Sequence, residues 1–317
     1  MERLRYVETV DPVHSDGRDV DTTVAELTGE AADQRPAAAP TYYGVRMLKP
    51  PVWSLDIPLY YFVGGAAGAA LTLGAAIQLV SRDRKLRRLS AQCHWIGIAG
   101  STLGAVFLIH DLGRPSRFLY MMRVFRPTSP MSMGAWILAG AAPAAIATGL
   151  FINRPGLLGT IGEVSGYVAG IFGAALAGYT GVLVSSTVIP QWYQARRWMP
   201  VLFVSSAATS AASILDILYA GGPASRLTAI FGTAGRVAEI GCAHRVERLS
   251  KPSGVLWTAA KVLTVASLVV SLAPGRSLKS RRAVGILGAL GSLCLRLAVH
   301  RMGQTPDAVG RNVHSSR

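Results

Sequence analysis

From residue 57 onward, long apolar stretches alternate with short clusters of arginine. A helix that crosses the hydrocarbon of a bilayer needs about 20 apolar residues, with every backbone group bonded inside the helix. Four stretches meet that requirement easily: Ile57–Ser81, Leu89–His110, Met131–Ile152 and Val164–Ile189, the last free of charge. A fifth, Pro200–Gly222, contains Asp216, and another, Val255–Leu272, contains Lys261. The two remaining candidates are less apolar. Arg226–Ala243 carries Arg236 and Glu239, and Ala283–Val299 is short and interrupted by Arg296. The pattern therefore predicts an all-α integral membrane protein built as an eight-transmembrane-helix bundle, or six helices if the two charged candidates do not span. Residues 53–303 form the bundle, and 304–317 a short C-terminal tail.

Residues 1–52 read differently. They are rich in Ala, Pro, Asp, Glu and Thr with no apolar period, so they bury too little surface to offset the entropy of ordering and are expected to be a disordered tail. Its acidic run suits either a solvated linker or an arm that meets basic loops. No basic start followed by an apolar core, the pattern of a signal peptide, is present there, so insertion rests on the first span.

Composition agrees with a membrane solvent. Half of the 317 residues are hydrophobic and 15% are charged, against about 25% in a soluble domain. The net charge of +15 hides an asymmetry, because nine of the seventeen acidic residues lie in the first 33 positions. A strongly basic balance suits nucleic acid or membrane lipid, and the apolar runs between the basic clusters decide for membrane. An even number of spans puts both termini on one side. The loop from Arg82 to Arg88, with Arg276, Lys279, Arg281 and Arg282, is the densest basic face and is expected to be cytoplasmic, which makes the termini extracytoplasmic. The opposite face keeps Arg114, Arg117, Arg123 and Arg126, and that excess calls for a reason beyond topology.

Cys93, Cys242 and Cys294 are too few and too scattered for a disulfide framework, a zinc site or an iron–sulfur cluster. Metal redox chemistry must then come from a partner. His94 and His110 stand sixteen residues apart on one helix, about 24 Å, and so cannot share a metal; a haem between either of them and His244 stays open.

The most distinctive segment runs Ile109-His110-Asp111-Leu112-Gly113-Arg114-Pro115-Ser116-Arg117-Phe118, followed by Pro127-Thr128-Ser129-Pro130-Met131-Ser132. Gly113 and Pro115 end the second helix at the interface. The two arginines beside it either reach lipid headgroups and pair with Asp111, or serve recognition. This segment resembles the signature of the polysulfide reductase membrane subunits, the NrfD/PsrC family. Similar stretches are Trp53 with Tyr60 to Gly68, Tyr179 to Leu183, Ile189 to Trp192, and Thr305 to Ala308, so the resemblance spans about Pro51 to Asp307.

The resemblance implies a subunit that binds menaquinone or ubiquinone as substrate and holds no haem or metal itself. It also implies docking to a ferredoxin-like four-cluster iron–sulfur subunit, which serves a molybdopterin catalytic subunit, in a cell membrane. Tyr179 matches the family's tyrosine at the quinone pocket, and Asp56 and Tyr60 fall where the family places hydrogen-bonding residues. Quinone chemistry needs a polar group near each carbonyl and a proton source. Asp56, Tyr60, His110 and Tyr179 are the expected headgroup contacts, with Asp111 orienting His110 or taking up its proton. Tyr60 and Tyr61 also suit an aromatic belt at the membrane surface. Arg114, Arg117, Arg123 and Arg126 are assigned to partner docking.

Charges inside spans form a second set, because each costs at least about 2.5 kcal/mol in the bilayer core. Arg236 and Glu239 are expected to pair with each other, and Asp216 with Lys261. A proton path through Glu163, Asp216, Glu239 and Lys261 is the alternative. An ion-coupled secondary transporter would carry such charges too, but it should show repeated halves, and residues 57–152 and 164–299 are not alike. A non-redox anchor or assembly protein is the third reading.

Overall fold

The computed structural model describes residues 54–80, 83–219, 225–273 and 277–304, all within one compact unit. The expected tails, except Gln304, and the motif residues Trp53 and Thr305 to Ala308, lie outside the described residues, as do Arg82 and Arg276. Among the described residues all regular structure is helical. The elements are α1 (Asp56–Val80), α2 (Arg84–Asp111), α3 (Ser116–Arg123), α4 (Pro130–Phe151), α5 (Leu157–Ser185), α6 (Pro190–Gln194), α7 (Met199–Tyr219), α8 (Ser225–Ser250), α9 (Val255–Leu272) and α10 (Leu278–Met302).

Eight of these have 18 residues or more, and seven are both long and apolar enough to cross a membrane. The exception is α8, whose buried Arg236 and Glu239 and whose charged last turns lower its hydropathy. In contrast, α10 qualifies in spite of Arg296. The structure extends it five residues before the expected start, from Leu278, where the Ser277 hydroxyl accepts the Ser280 N–H at 3.2 Å and caps the helix.

Local sequence sets the other ends. Asp83 caps α2 by accepting the Lys85 N–H at 3.0 Å. At the far end of α2, Gly113 takes a positive φ of 69° and its N–H returns to the His110 carbonyl at 3.1 Å, so the chain turns sharply just after Asp111. Ser129 and Pro130 then start α4 together, a hydroxyl cap followed by a residue with preset φ.

Helix α1 lies inside the bundle, packed against α2, α5, α7 and α10. The approach of α1 to α5 depends on a missing side chain: a Cβ on Gly68 would come within 2.5 Å of the Gly173 carbonyl. Helices α4 and α9 are the most exposed of the seven spans, and large apolar side chains such as Ile146, Val262 and Val269 point outward, as a lipid solvent permits. Ser54, Asp56, the end of α2, α6, the start of α7 and the end of α10 gather at one end of the bundle. Trp192 fastens part of it: the side chain is fully buried, and its Nε1–H donates to the Val299 carbonyl at 2.9 Å.

Candidate functional site

The polar residues expected at this end converge. The His110 ring bonds Asp56 through Nδ1 to Oδ2 at 2.8 Å, joining the last turn of α2 to the first of α1. Asp111, expected to orient His110 or take up its proton, accepts the Ser54 hydroxyl at 2.6 Å. The same hydroxyl oxygen accepts the Asp56 N–H at 3.3 Å and lies 3.0 Å from Asp56 Oδ2, so one hydroxyl stands between two carboxylates and donates to one of them at a time. The result is a short network of Asp111, Ser54, Asp56 and His110 at the mouth of the bundle. Asp56 is the residue that fixes the imidazole. The His110 side chain is 77% exposed.

One turn deeper, Tyr60 and Tyr61 are each 1% exposed, which overturns the aromatic-belt alternative: both rings point into the bundle. Their centroids are 6.1 Å apart, and Tyr61 meets Phe203 edge-on at 5.8 Å. Tyr179 joins the same apolar cluster from α5 and is within electrostatic reach of both tyrosines. The pocket for its ring exists because residue 134 is glycine; a Cβ there would fall within 1.9 Å of the Tyr179 ring. The hydroxyls of Tyr60 and Tyr61 are buried and make no hydrogen bond. A buried donor without an acceptor costs about 1–3 kcal/mol. Two of them side by side suit a ligand that brings oxygen acceptors.

The arginines of the following loop are placed apart from this pocket. Arg114, Arg117, Arg123 and Arg126 are all exposed, and among the described residues none forms an ion pair. Arg117 caps the loop by donating to the Leu112 carbonyl at 3.1 Å. Between them α3 buries nothing and presents Leu119 and Tyr120, 69% and 68% exposed, so the surface is both cationic and apolar.

The charges assigned to a proton path do not form one line. Glu163 is half-exposed near the start of α5 and pairs with Arg87 at 3.2 Å, so it is not deep in the bundle. Lys261 pairs with Glu247, at 2.7 and 2.8 Å, instead of Asp216. Asp216 faces Arg236 at 3.9 Å, and Arg236 also donates to Ser267 at 2.7 Å and Ser213 at 3.3 Å. The expected partner of Arg236, Glu239, is 2% exposed and lies in the field of Arg296 as well as Arg236. Arg296, read from sequence as an interruption of its helix, is fully buried. Its guanidinium stacks over Phe203 at 4.9 Å and donates to the Phe203 carbonyl at 3.3 Å. A Cβ on Gly65 would touch it at 2.7 Å, and Tyr61 lies within its electrostatic reach. Arg296 thus connects the charged network of α7 to α10 with the tyrosines of α1. Among the described residues, no group of three or more His, Cys, Asp or Glu is arranged to hold a metal ion.

Fold and site together define a multi-pass helical membrane protein with a polar cluster at one end of its bundle. A family model described as polysulphide reductase, NrfD, matches residues 45–305, and the chain belongs to that family. No curated protein matches the chain.

Proposed function

We propose that this chain is the membrane anchor and quinone-reactive subunit of an iron–sulfur/molybdopterin oxidoreductase complex. In this reading it exchanges electrons between a [4Fe–4S] cluster of a ferredoxin-like partner and menaquinone or ubiquinone in the bilayer. All eight long helices span a cell membrane, with both termini on the extracytoplasmic side. The observation that carries the reading is the pair of unsatisfied tyrosine hydroxyls beside Tyr179, one helical turn beneath the Asp56–His110 pair.

The residues divide the work. Quinone and quinol interconvert by two electrons and two protons, so the site must bind carbonyl oxygens and pass protons. Tyr60, Tyr61 and Tyr179 donate hydrogen bonds from an apolar wall that also suits an isoprenoid tail. His110 passes a proton at its exposed ring nitrogen, while Asp56 holds the other nitrogen at 2.8 Å. Asp111 and Ser54 hold that carboxylate in place. The arginine loop receives an acidic face of the partner and brings its nearest cluster toward this end. Of the residues assigned to proton movement, Asp216 and Glu239 are the two within the bundle interior.

Purification of the chain with its native neighbours, followed by solvent extraction, tests the reading. The expected outcome is quinone recovered together with a cluster-bearing partner. A well-folded complex with neither would overturn it.

A further inference from the structure

The end of the bundle opposite the tyrosines carries an open groove of about 580 Å³ between the first turns of α8, the last turn of α9 and the start of α10. On α8 the lining residues Arg226, Ala229, Ile230 and Ala234 recur at helical spacing and so share one face. Leu272 closes the groove from α9 and Arg281 from α10. Both arginines stand in the first turn of their helix, and among the described residues no acidic side chain lines the groove. Arg226 is exposed, and among the described residues it forms no ion pair.

Charge and apolar surface are separated along this groove. From Arg226 to Ala234 the helix rises about 12 Å, at about 1.5 Å per residue. The neighbouring α9 and α10 are both long and apolar enough to span, so the arginine end lies toward the membrane surface and the Ala234 end toward the hydrocarbon. Ile230 and Leu272 are 59% and 66% exposed beside it. An occupant must therefore be anionic at one end and apolar along the other. A wall inside the hydrocarbon is out of reach of a soluble partner, and a quinone ring carries no charge for two arginines. An anionic glycerophospholipid meets both demands, because guanidinium forks bind phosphate and an acyl chain covers the apolar wall.

We propose that this groove binds one anionic glycerophospholipid, with its phosphate held by Arg226 and Arg281 and an acyl chain laid over Ala229, Ile230, Ala234 and Leu272. The lipid fastens the start of α8 to α9 and α10. That is where a fastening is useful, since α8 is the one long helix among the described residues whose hydropathy falls short of a span. The site lies at the other end of the bundle from the tyrosines, and the proposal does not depend on the quinone reading.

The test uses the full chain with its native partners in phosphatidylcholine nanodiscs, doped with either phosphatidylglycerol or phosphatidylcholine that carries the same diazirine acyl chain. After irradiation, labelled peptides are mapped by mass spectrometry. On peptides of α8 and α9 around residues 226–237 and 262–272, the phosphatidylglycerol label should exceed the phosphatidylcholine label about ten-fold, the scale of a hydrogen bond to a charged group. Arg226→Gln should bring it down to the phosphatidylcholine level. Ala234→Phe fills the apolar wall from an exposed position and should lower it likewise without changing charge. Arg84→Gln with Arg88→Gln, which removes two exposed arginines from the start of α2, should leave it unchanged. Equal labelling by the two lipids, or a phosphatidylglycerol label that Arg226→Gln leaves intact, would overturn the site, since it would then be ordinary bilayer contact. A label that falls as far with the α2 pair as with Arg226→Gln would overturn it too, by making the attraction a property of the whole basic face. Displacement by inorganic phosphate would assign the arginines to a free anion and overturn the lipid.

Discussion

Two buried polar regions of this bundle solve opposite problems. In the network of α7 to α10, buried charges are held by neighbours on other helices: Arg236 faces Asp216 and donates to two serines, and Arg296 covers Phe203 and donates to its carbonyl. At the tyrosine end, donors are left without acceptors, and the ionisable groups sit at the mouth in contact with the outside. The first arrangement is what holds charged helices together in a solvent without water. The second is what a bundle needs in order to accept a polar ligand. The difference teaches that burial of charge and readiness for chemistry are separate properties here. Substitutions in the two regions should therefore fail in different ways.

The largest effect is expected at Arg236. Replacing it by Met removes one side of a buried pair and takes away the positive charge that Asp216 faces, which costs about 3–5 kcal/mol. Little folded protein should be recovered from membranes, and thermal unfolding of what remains should shift strongly downward. The paired variant Arg236→Met with Asp216→Asn should recover part of that loss. If the single variant were as stable as the parent, the network would not be the structural element described.

A smaller and different failure is expected at Gly134. Its replacement by Ala drives a methyl group into the Tyr179 ring, and overpacking of that kind costs about 1–3 kcal/mol. The complex should still assemble, but quinone turnover should fall, because the tyrosine must leave its position. Assembly is read by co-purification and turnover by quinone-linked electron transfer in nanodiscs.

The arginine loop should show neither pattern. Arg114→Lys with Arg117→Lys keeps the charge but loses the planar fork, so lipid attraction survives and bidentate carboxylate recognition does not. Retention of the iron–sulfur partner should drop and become more sensitive to salt, with the membrane subunit itself unchanged in stability. Normal retention at raised salt would leave the arginines as lipid contacts.

Much of this contrast was open to reading from the chain alone, and the part that was not has a common cause. Apolar runs of the right length located the helices to within a few residues at most ends, since period and turn chemistry are local. Gly113 as the end of the second helix was legible for the same reason. Asp56, Tyr60, His110 and Tyr179 were found from motif resemblance, and helix packing brings them to one end. The pairings, by contrast, are set by which faces meet. Arg236 was expected beside Glu239, three residues away, yet it turns to Asp216 on a neighbouring helix, and Lys261 turns to Glu247. Arg296 seemed to break its helix because hydropathy weighs a charge without knowing that Phe203 and Gly65 would receive it. Gly65, within the glycine-rich run of α1, is the one sequence signal that could have prompted a search for a bulky partner.

The most direct test of the central claim removes a single oxygen. Tyr179→Phe keeps the ring against Gly134 and deletes one donor, a change worth about 0.5–1.5 kcal/mol in binding. Electron exchange between quinone and the assembled complex should fall, while partner retention and unfolding temperature stay at parental values. Full quinone-linked activity in that variant, with the complex intact, would contradict the assignment of this tyrosine end as the quinone site.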